Sequence, residues 1–156
     1  MKYFLDTEFI EYPYTIELIS IGIKCEDGRT FYAISNEFDS LRASNWVRKN
    51  IIKLLPNKIK SHNLWMSRKQ IKSEVLHFIG EDTPEFWGYY ADYDWVVFCW
   101  LFGAMIDLPK GWPMYCNDLK QLAKNVKKPE FKSPIGEHDA LVDACWNEEF
   151  YRYLKN

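Results

Sequence analysis

Two acidic side chains near the start of the chain, Asp6 and Glu8, lie within an otherwise apolar segment, Lys2–Ile10. The apolar composition predicts a buried strand, and residues two apart in a strand point to the same face. Two neighbouring carboxylates repel each other and are costly to remove from water. A divalent cation, which prefers oxygen ligands, would neutralise them. A strand end at which both acids reach water is the alternative, and this segment alone does not decide between the two.

A second pair of acids follows another apolar segment, Phe86–Tyr90, which also predicts a buried strand. Asp92 and Asp94 lie between this strand and an apolar helix. Ligands of open α/β sheets bind at the carboxyl ends of strands, and a negative charge is favoured in the first turn of a helix. Either acid could face a ligand, but the helix boundary favours Asp92 as the N-cap of a Tyr93–Ala104 helix, with Asp94 in its first turn.

A histidine and two further acids mark the start of the last predicted helix. His138 precedes this helix, and Asp139 and Asp143 share one face because they are four residues apart. A single histidine is more often structural than catalytic. A histidine that precedes a helix bearing a carboxylate, after two earlier acidic sites, is a sharper pattern. The spacing does not say which of the two acids would be the ligand.

The elements that must position these residues follow an α/β pattern. Strand composition in Lys2–Ile10, Ile19–Ile23 and Thr30–Ile34, with turn signals between them, predicts a three-stranded antiparallel meander. Helices and strands alternate in the second half, which predicts parallel strands. Segments Phe86–Tyr90 and Met114–Cys116 complete a predicted mixed five-stranded sheet flanked by helices.

Two helices are predicted between the meander and the strand Phe86–Tyr90. The first covers Asn45–Leu55 and is stopped by Pro56. The second begins after Ser67, which has capping-box spacing to Gln70, and ends at Gly80, where glycine permits the left-handed backbone of a helix terminus.

Length and composition limit the class of protein. A chain of 156 residues suggests one domain, residues 1–156, and 47% apolar residues are enough to fill a sizeable core. The net charge of −2 gives no overall basic signature of nucleic-acid binding, although two bound divalent ions would reverse its sign. The four cysteines contain no Cys-x-x-Cys pair, which argues against a zinc ribbon and fits a reducing cytosol.

The sequence predicts neither a signal peptide nor a membrane-spanning segment. The N-terminus lacks a signal-peptide pattern. The longest apolar run, Trp95–Ile106, is shorter than a membrane span requires. We therefore expect a soluble, cytoplasmic protein with no membrane partner.

Taken together, the acidic motifs resemble those of the DEDDh family of 3'→5' exonucleases, the RNase T-like group with an RNase H-like fold. Asp6 and Glu8 match its Asp-x-Glu strand, Asp94 matches the acid after its central strand, and His138 and Asp143 match its His-x-x-x-x-Asp helix. Their order and spacing match across nearly the whole chain. Each motif alone is weak, whereas the ordered set is specific.

Three further stretches are most similar to the compact bacterial and phage exoribonuclease domain of that family, namely Ser67–Gly80, Trp87–Leu108 and Met114–Leu122. One departure lies in the second motif, where Tyr90 begins a Tyr-Ala-Asp-Tyr-Asp sequence in place of the more common Asn-x-x-Phe-Asp. This departure concerns the substrate contacts and leaves the acid Asp94 in place.

The resemblance implies a two-metal hydrolase that releases nucleoside 5'-monophosphates from RNA with a free 3' end. Two divalent ions, Mg²⁺ or Mn²⁺, would be bound by Asp6, Glu8, Asp94 and Asp143. His138 would be the general base that deprotonates the attacking water.

Two aromatic residues are candidates for substrate binding. The family contacts the terminal nucleotide at the position of Phe9, for which a core position is an equally good alternative, and Tyr90 is the second candidate. Homodimers are common in the family, and the sequence does not decide whether this chain forms one.

Two other functions are compatible with the sequence. The first is a DNA 3'→5' exonuclease of the same family acting on single-stranded DNA, since selection of RNA depends on contacts to the 2'-hydroxyl that the sequence does not locate. The second is a catalytically inactive nucleic-acid-binding module. The five intact motif residues argue against the second function, because loss of one of them would be its simplest signature.

Overall fold

The computed structural model describes residues 1–126, 128–129 and 131–156 and has an α/β architecture. Within the described residues, six strands form one mixed sheet flanked by helices. In chain order the elements are β1 Lys2–Tyr12, β2 Thr15–Cys25, β3 Thr30–Ser35, α1 Asn45–Asn50, β4 Trp65–Met66, α2 Arg68–Ile79, β5 Glu85–Gly88, α3 Asp92–Trp100, β6 Asn117–Asp118, α4 Leu119–Ala123 and α5 Ala140–Lys155.

The sheet has the strand order β4-β3-β2-β1-β5-β6. The first three strands pair antiparallel, which confirms the predicted meander. Strand β5 pairs parallel with β1, and β6 pairs parallel with β5, which confirms the predicted parallel portion. The meander and the parallel strands therefore meet at β1, the strand that carries the first two acids.

The predicted number of five strands was wrong. Strand β4, Trp65–Met66, is two residues long and pairs parallel with β3, and so short a strand has no recognisable alternation. The last strand is Asn117–Asp118 and not Met114–Cys116. Residues Met114–Cys116 form an irregular stretch before this strand, and their composition resembles that of a strand.

Both faces of β1 are covered, which explains its nearly continuous apolar sequence. Tyr3 and Leu5 pack in one cluster with α2 and α3, whereas Phe4 packs in a second cluster with Leu119 of α4 and Phe150 of α5. Because residues two apart share a face, Asp6 and Glu8 lie on the same side of the sheet as Phe4 and α5.

The helix boundaries follow local capping signals with two exceptions. Ser67 and Gln70 form the predicted capping box, and Gly80 ends α2 with a φ of +63°. Helix α1 ends at Asn50, earlier than predicted, and continues as a short 3₁₀ turn. Helix α3 begins at Asp92 with Ala91 as its N-cap and ends at Trp100, so the predictions that Asp92 is the N-cap and that the helix extends to Ala104 were wrong.

Among the described residues, no helix combines the length and the apolar character needed to cross a membrane.

Candidate active site

The acids of β1 lie where the sheet loses one of its neighbours. Strand β5 pairs with β1 only from Lys2 to Phe4. Beyond Phe4 that edge of β1 is open, and Asp6 and Glu8 follow there, with Glu8 only 8% exposed. On the other edge, the pairing with β2 shifts by one residue between Glu8 and Phe9. Such a bulge bends and twists a strand locally, and bulges are frequent beside active sites.

Asp94 occupies the open edge of β1. It lies in the first turn of α3 and is 6% exposed. Its Oδ1 atom accepts hydrogen bonds from the backbone N–H of Thr7, at 2.9 Å, and from the Thr7 hydroxyl, at 2.6 Å. The Asp94 carboxylate thus accepts from the Thr7 N–H, which β5 leaves unpaired. The Asp92 side chain, in contrast, is exposed to solvent. Of these two neighbouring acids, Asp94 is therefore the one that faces β1.

Helix α5 brings the last acid to the same place. Asp139 is the N-cap of this helix, and its Oδ1 accepts from the backbone N–H groups of Leu141 and Val142. Asp143 lies one turn further, and its Oδ2 accepts from the backbone N–H of His138 at 2.9 Å. Asp139 is thus engaged in capping, and Asp143 is the acid that meets the carboxylates of β1.

A glycine and an asparagine hold α5 against the sheet. Gly22 is the register partner of Asp6, and a Cβ atom at Gly22 would lie 2.1 Å from the carbonyl oxygen of Ala140. Only glycine permits that approach of the helix start to β2. Asn147, buried one turn beyond Asp143, donates from Nδ2 to the carbonyl oxygen of Leu5 at 2.9 Å. These contacts fix Asp143 relative to Asp6.

His138 lies at the surface beside the cluster. Its backbone is in the left-handed region, with a φ of +71°, and its ring contacts the Trp46 ring edge-on, with the centroids 4.8 Å apart. One ligand atom each of Glu8, His138 and Asp143 can be chosen so that all three lie within 4.8 Å of one another. Glu8, His138 and Asp143 are thus close enough to share one ion, and Asp94 lies near enough to Asp6 and Glu8 for their carboxylates to repel one another.

Burial and mutual repulsion make these carboxyl groups reluctant to ionise. Burial, followed by repulsion from Asp94 and Glu8, raises the pKa of Asp6 well above its usual value. Burial and then the charge of Asp143 raise the pKa of Glu8 to about 8. Burial raises the pKa of Asp94 to about 6, although the hydrogen bonds from Thr7 oppose this shift. Burial also raises the pKa of Asp143, opposed by the N–H of His138.

The donor set fits a divalent cation. Within the described part of the chain, none of the four carboxylates forms a salt bridge with a lysine or an arginine. Uncompensated buried charges are expensive, and carboxylate oxygens are the ligands that Mg²⁺ and Mn²⁺ prefer. The four acids that the sequence singled out are Asp6, Glu8, Asp94 and Asp143.

The two aromatic candidates differ in their surroundings. Phe9 is half-buried and its ring lies edge-on to that of Tyr93, at 5.8 Å between centroids, so it is partly a core residue and partly accessible. Tyr90 is 61% exposed, with a φ of +55°, at the elbow between β5 and α3. Their contact with a substrate stays a prediction.

Two cavities lie beside the acids. The first, here called the Lys120 cavity, has a volume of about 370 Å³ and extends between α4, α5 and the segment that precedes α5. The second, here called the Trp46 groove, has a volume of about 310 Å³ and extends between β1 and α1. The Lys120 cavity is lined by Asp6, Tyr89, Lys120, His138, Asp143 and Trp146, among others, and the Trp46 groove by Glu8, Phe9, Glu11, Trp46, Val47 and Ile51, among others.

Sequence reasoning missed four residues that shape the site. Thr7 orients Asp94, Gly22 and Asn147 position α5, and Trp46 contacts His138. A glycine inside a strand is a sequence signal for close backbone approach, so Gly22 could have been found. Trp46 has no such signal, because its contact joins segments that are far apart in the chain.

Fold and site together define an α/β protein with a buried acidic cluster beside two cavities. The sequence matches the 3'-5' exoribonuclease Rv2179c-like domain over residues 1–154, and the chain belongs to that family.

Two curated relatives are each 45% identical to it over 148 residues, which cover 92% of this chain and 87% of theirs. They are the 3'-5' exoribonuclease MT2234.1 of Mycobacterium tuberculosis strain CDC 1551 / Oshkosh and the 3'-5' exoribonuclease Rv2179c of M. tuberculosis strain ATCC 25618 / H37Rv.

Proposed function

We propose that this protein is a DEDDh-type 3'→5' exoribonuclease that removes nucleoside 5'-monophosphates from the 3' end of RNA. The observation that carries the proposal is that carboxylates from three separate elements repel one another, namely Asp6, Glu8, Asp94 and Asp143. Of these, Glu8 and Asp143 are also close enough to His138 to share one ion with it. Membership of the exoribonuclease family and the names of the two relatives support the same activity. We further propose that residues 1–156 form one domain with an RNase H-like fold and that the protein is cytoplasmic.

The four carboxylates would hold two divalent cations, Mg²⁺ or Mn²⁺. When bound, these ions stabilise negative charge on the phosphate and lower the pKa of water. The chain itself supplies the preorganised oxygen ligands, of which Asp94 is oriented by Thr7 and Asp143 by the backbone of His138.

His138 is the proposed general base. Water attacks the phosphorus of the last phosphodiester and its proton passes to the imidazole, while the bond from phosphorus to the 3'-oxygen of the preceding ribose breaks. That oxygen takes up a proton, so the products are a nucleoside 5'-monophosphate and RNA one nucleotide shorter with a new 3'-hydroxyl. The exposure of His138 lets the ring exchange its proton with solvent between turnovers.

The test uses single-stranded RNA labelled at its 5' end, incubated with Mn²⁺ or with EDTA. We expect a ladder of products that shorten one nucleotide at a time in Mn²⁺, release of 5'-monophosphates, and no reaction in EDTA. RNA blocked by a 3'-phosphate and DNA of the same sequence are the controls for direction and for sugar preference. An Asp143→Asn variant that degrades RNA as fast as the wild type, or products cut internally, would contradict the proposal.

A further inference from the structure

The two cavities beside the acids differ in whether cationic side chains line them. Within the described residues, the lining of the Trp46 groove includes the acids Glu8 and Glu11 and no lysine or arginine. The lining of the Lys120 cavity includes two lysines, Lys120 and Lys128, besides the three acids Asp6, Glu137 and Asp143. Of the two cavities, the Lys120 cavity is therefore the one whose described lining offers a phosphate group a cationic side chain.

Lys120 is the lysine of this cavity that is available to a ligand. The ammonium of Lys128 donates to the carbonyl oxygen of Tyr153 and is held there. The ammonium of Lys120 lies 5.8 Å from the ring centroid of Tyr89 and 5.6 Å from that of Tyr90. No carboxylate of the described residues lies within 4.0 Å of it. A cation on two aromatic faces keeps its positive charge for a third partner.

The remaining lining suits a nucleobase. Aromatic side chains of α5, Trp146 and Phe150, form one wall, and Tyr89 stands edge-on to Trp146 at 5.1 Å between centroids. Stacking on aromatic rings is the usual way in which single-stranded nucleic acid is held without sequence preference. The volume of about 370 Å³ lies within the range of small-ligand sites.

The chemistry of an RNA 3' end matches this asymmetry. The terminal nucleoside carries no phosphate beyond the scissile one, whereas each nucleotide on the 5' side carries another. Building on the function proposed above, we infer that the Lys120 cavity is the subsite for the nucleotide on the 5' side of the scissile bond. Lys120 pairs with the phosphate of that nucleotide, and the aromatic wall receives its base. The Trp46 groove is left for the terminal nucleoside.

The experiment compares two substrates that differ only in whether they have this upstream nucleotide. One is a short single-stranded oligoribonucleotide ending in uridine. The other is the p-nitrophenyl ester of uridine 5'-monophosphate, in which p-nitrophenol replaces the rest of the RNA. Lys120→Ala should lower kcat/KM for the oligoribonucleotide by about 10–100-fold, the usual effect of losing a charged hydrogen bond, and the loss should be confined to that substrate. Lys120→Arg should restore most of it.

Lys124→Ala is the matched control, because Lys124 is exposed on the same stretch and does not line the cavity. It should leave both rates near those of the wild type. For Lys120→Ala, the dependence of log kcat/KM on log salt concentration should also become shallower by about 0.7 for the oligoribonucleotide, the value of one lost phosphate contact on a single strand.

The outcomes separate this subsite from the activity itself. Equal losses on both substrates, no loss on either, or the same loss from Lys124→Ala would overturn the subsite while the nuclease function stands. Wild-type protein that hydrolyses neither substrate in Mn²⁺ would overturn the proposed function and the subsite together.

Discussion

Acidic side chains near the two ends of β1 differ in whether they have cationic partners. At its start, acids are paired with cations of the chain itself. Lys2 contacts Glu26 at 3.4 Å, and Arg29 contacts Asp27 at 2.6 Å and Asp82 at 3.8 Å. Further along the same strand, the acidic cluster has no such partners among the described residues.

The pKa values of the two groups move in opposite directions for that reason. Hydrogen bonds from the backbone and side chain of Arg29 lower the pKa of Asp27 to about 2. Burial and repulsion from neighbouring acids raise the pKa of Glu8 to about 8. The first arrangement stabilises the fold as it stands. In the second arrangement, the ionised carboxylates are stable only when a cation binds to them, which is typical of a binding site.

The strongest way to break this comparison is to neutralise one acid at each end. Asp94→Asn should reduce nucleotide release by several orders of magnitude, because the cluster would no longer hold the proposed cations in place. The asparagine oxygen can still accept from Thr7, and loss of one buried negative charge should keep or raise the melting temperature in EDTA. Asp27→Asn should leave the activity intact. The measurement is RNA turnover in Mn²⁺ together with melting temperature in EDTA.

Asp92→Ala is the neighbouring control for Asp94. Asp92 is exposed in the first turn of α3, where a negative charge contributes about 0.3–1 kcal/mol through the helix dipole. We expect nearly full activity. A well-folded, inactive Asp92→Ala beside an active Asp94→Asn would reverse the assignment of the second motif.

His138→Ala should lower turnover by roughly 10²–10⁴-fold, the usual contribution of a general base. The four carboxylates are untouched, so Mn²⁺ binding should be largely retained. Turnover and calorimetric Mn²⁺ binding of the same variant distinguish a base from a ligand. Loss of Mn²⁺ binding would make His138 a metal ligand, which its proximity to Glu8 and Asp143 also permits.

Gly22→Ala sharpens the comparison without changing any charge. The new Cβ atom would overlap the backbone of Ala140, so α5 must move away from β2 and carry Asp143 with it. We expect the free energy of unfolding to fall by about 1–3 kcal/mol, as for other overpacked interiors, and the turnover of the folded variant to fall as well. Denaturant unfolding and turnover at a temperature well below the transition measure the two effects. Unchanged values of both would show that α5 does not need this approach.

The two ends of β1 should also respond oppositely to pH in the metal-free protein. The pKa values of Glu8, at about 8, and Asp94, at about 6, are raised by folding, so their contribution is present at acidic pH and is lost as the pH rises through these values. The pKa of Asp27 is lowered by folding, so its contribution is present at neutral pH and is lost as the pH falls toward 2.

Melting temperatures measured in EDTA from weakly acidic to weakly alkaline pH test whether stability falls as the pH rises. The value should decline from weakly acidic to weakly alkaline pH, and Glu8→Gln should make the decline shallower, whereas Asp27→Asn should not. Adding Mn²⁺ should remove much of the decline, because the cation stabilises the ionised carboxylates. A melting temperature that rises over the same interval in EDTA would contradict the raised pKa values.

Much of this architecture could be predicted from sequence because it depends on local signals. Alternation revealed the meander, and the Ser67 capping box revealed α2. The order of acids singled out the five motif residues, whose roles stay predictions. Asp94 could not be separated from Asp92 by periodicity, since the choice depends on where the open edge of β1 lies.

Other features depend on contacts between distant segments, which no local pattern encodes. The contact between Trp46 and His138 and the bond from Asn147 to Leu5 are of this kind. The two-residue strand Trp65–Met66 exists only because β3 offers it an edge. The cavity at Lys120 likewise depends on how α4 and α5 pack together.

The most direct test of the central claim is a calorimetric titration of Mn²⁺ into the metal-free protein, repeated in buffers of different ionisation enthalpy. We predict binding of two ions per chain with release of protons, because carboxyl groups with raised pKa values must ionise to bind them. Asp94→Asn should lose at least one of the two ions, and Asp27→Asn should bind as the wild type does. RNA degradation that proceeds fully in EDTA, with no heat of Mn²⁺ binding by the wild type, would contradict the account.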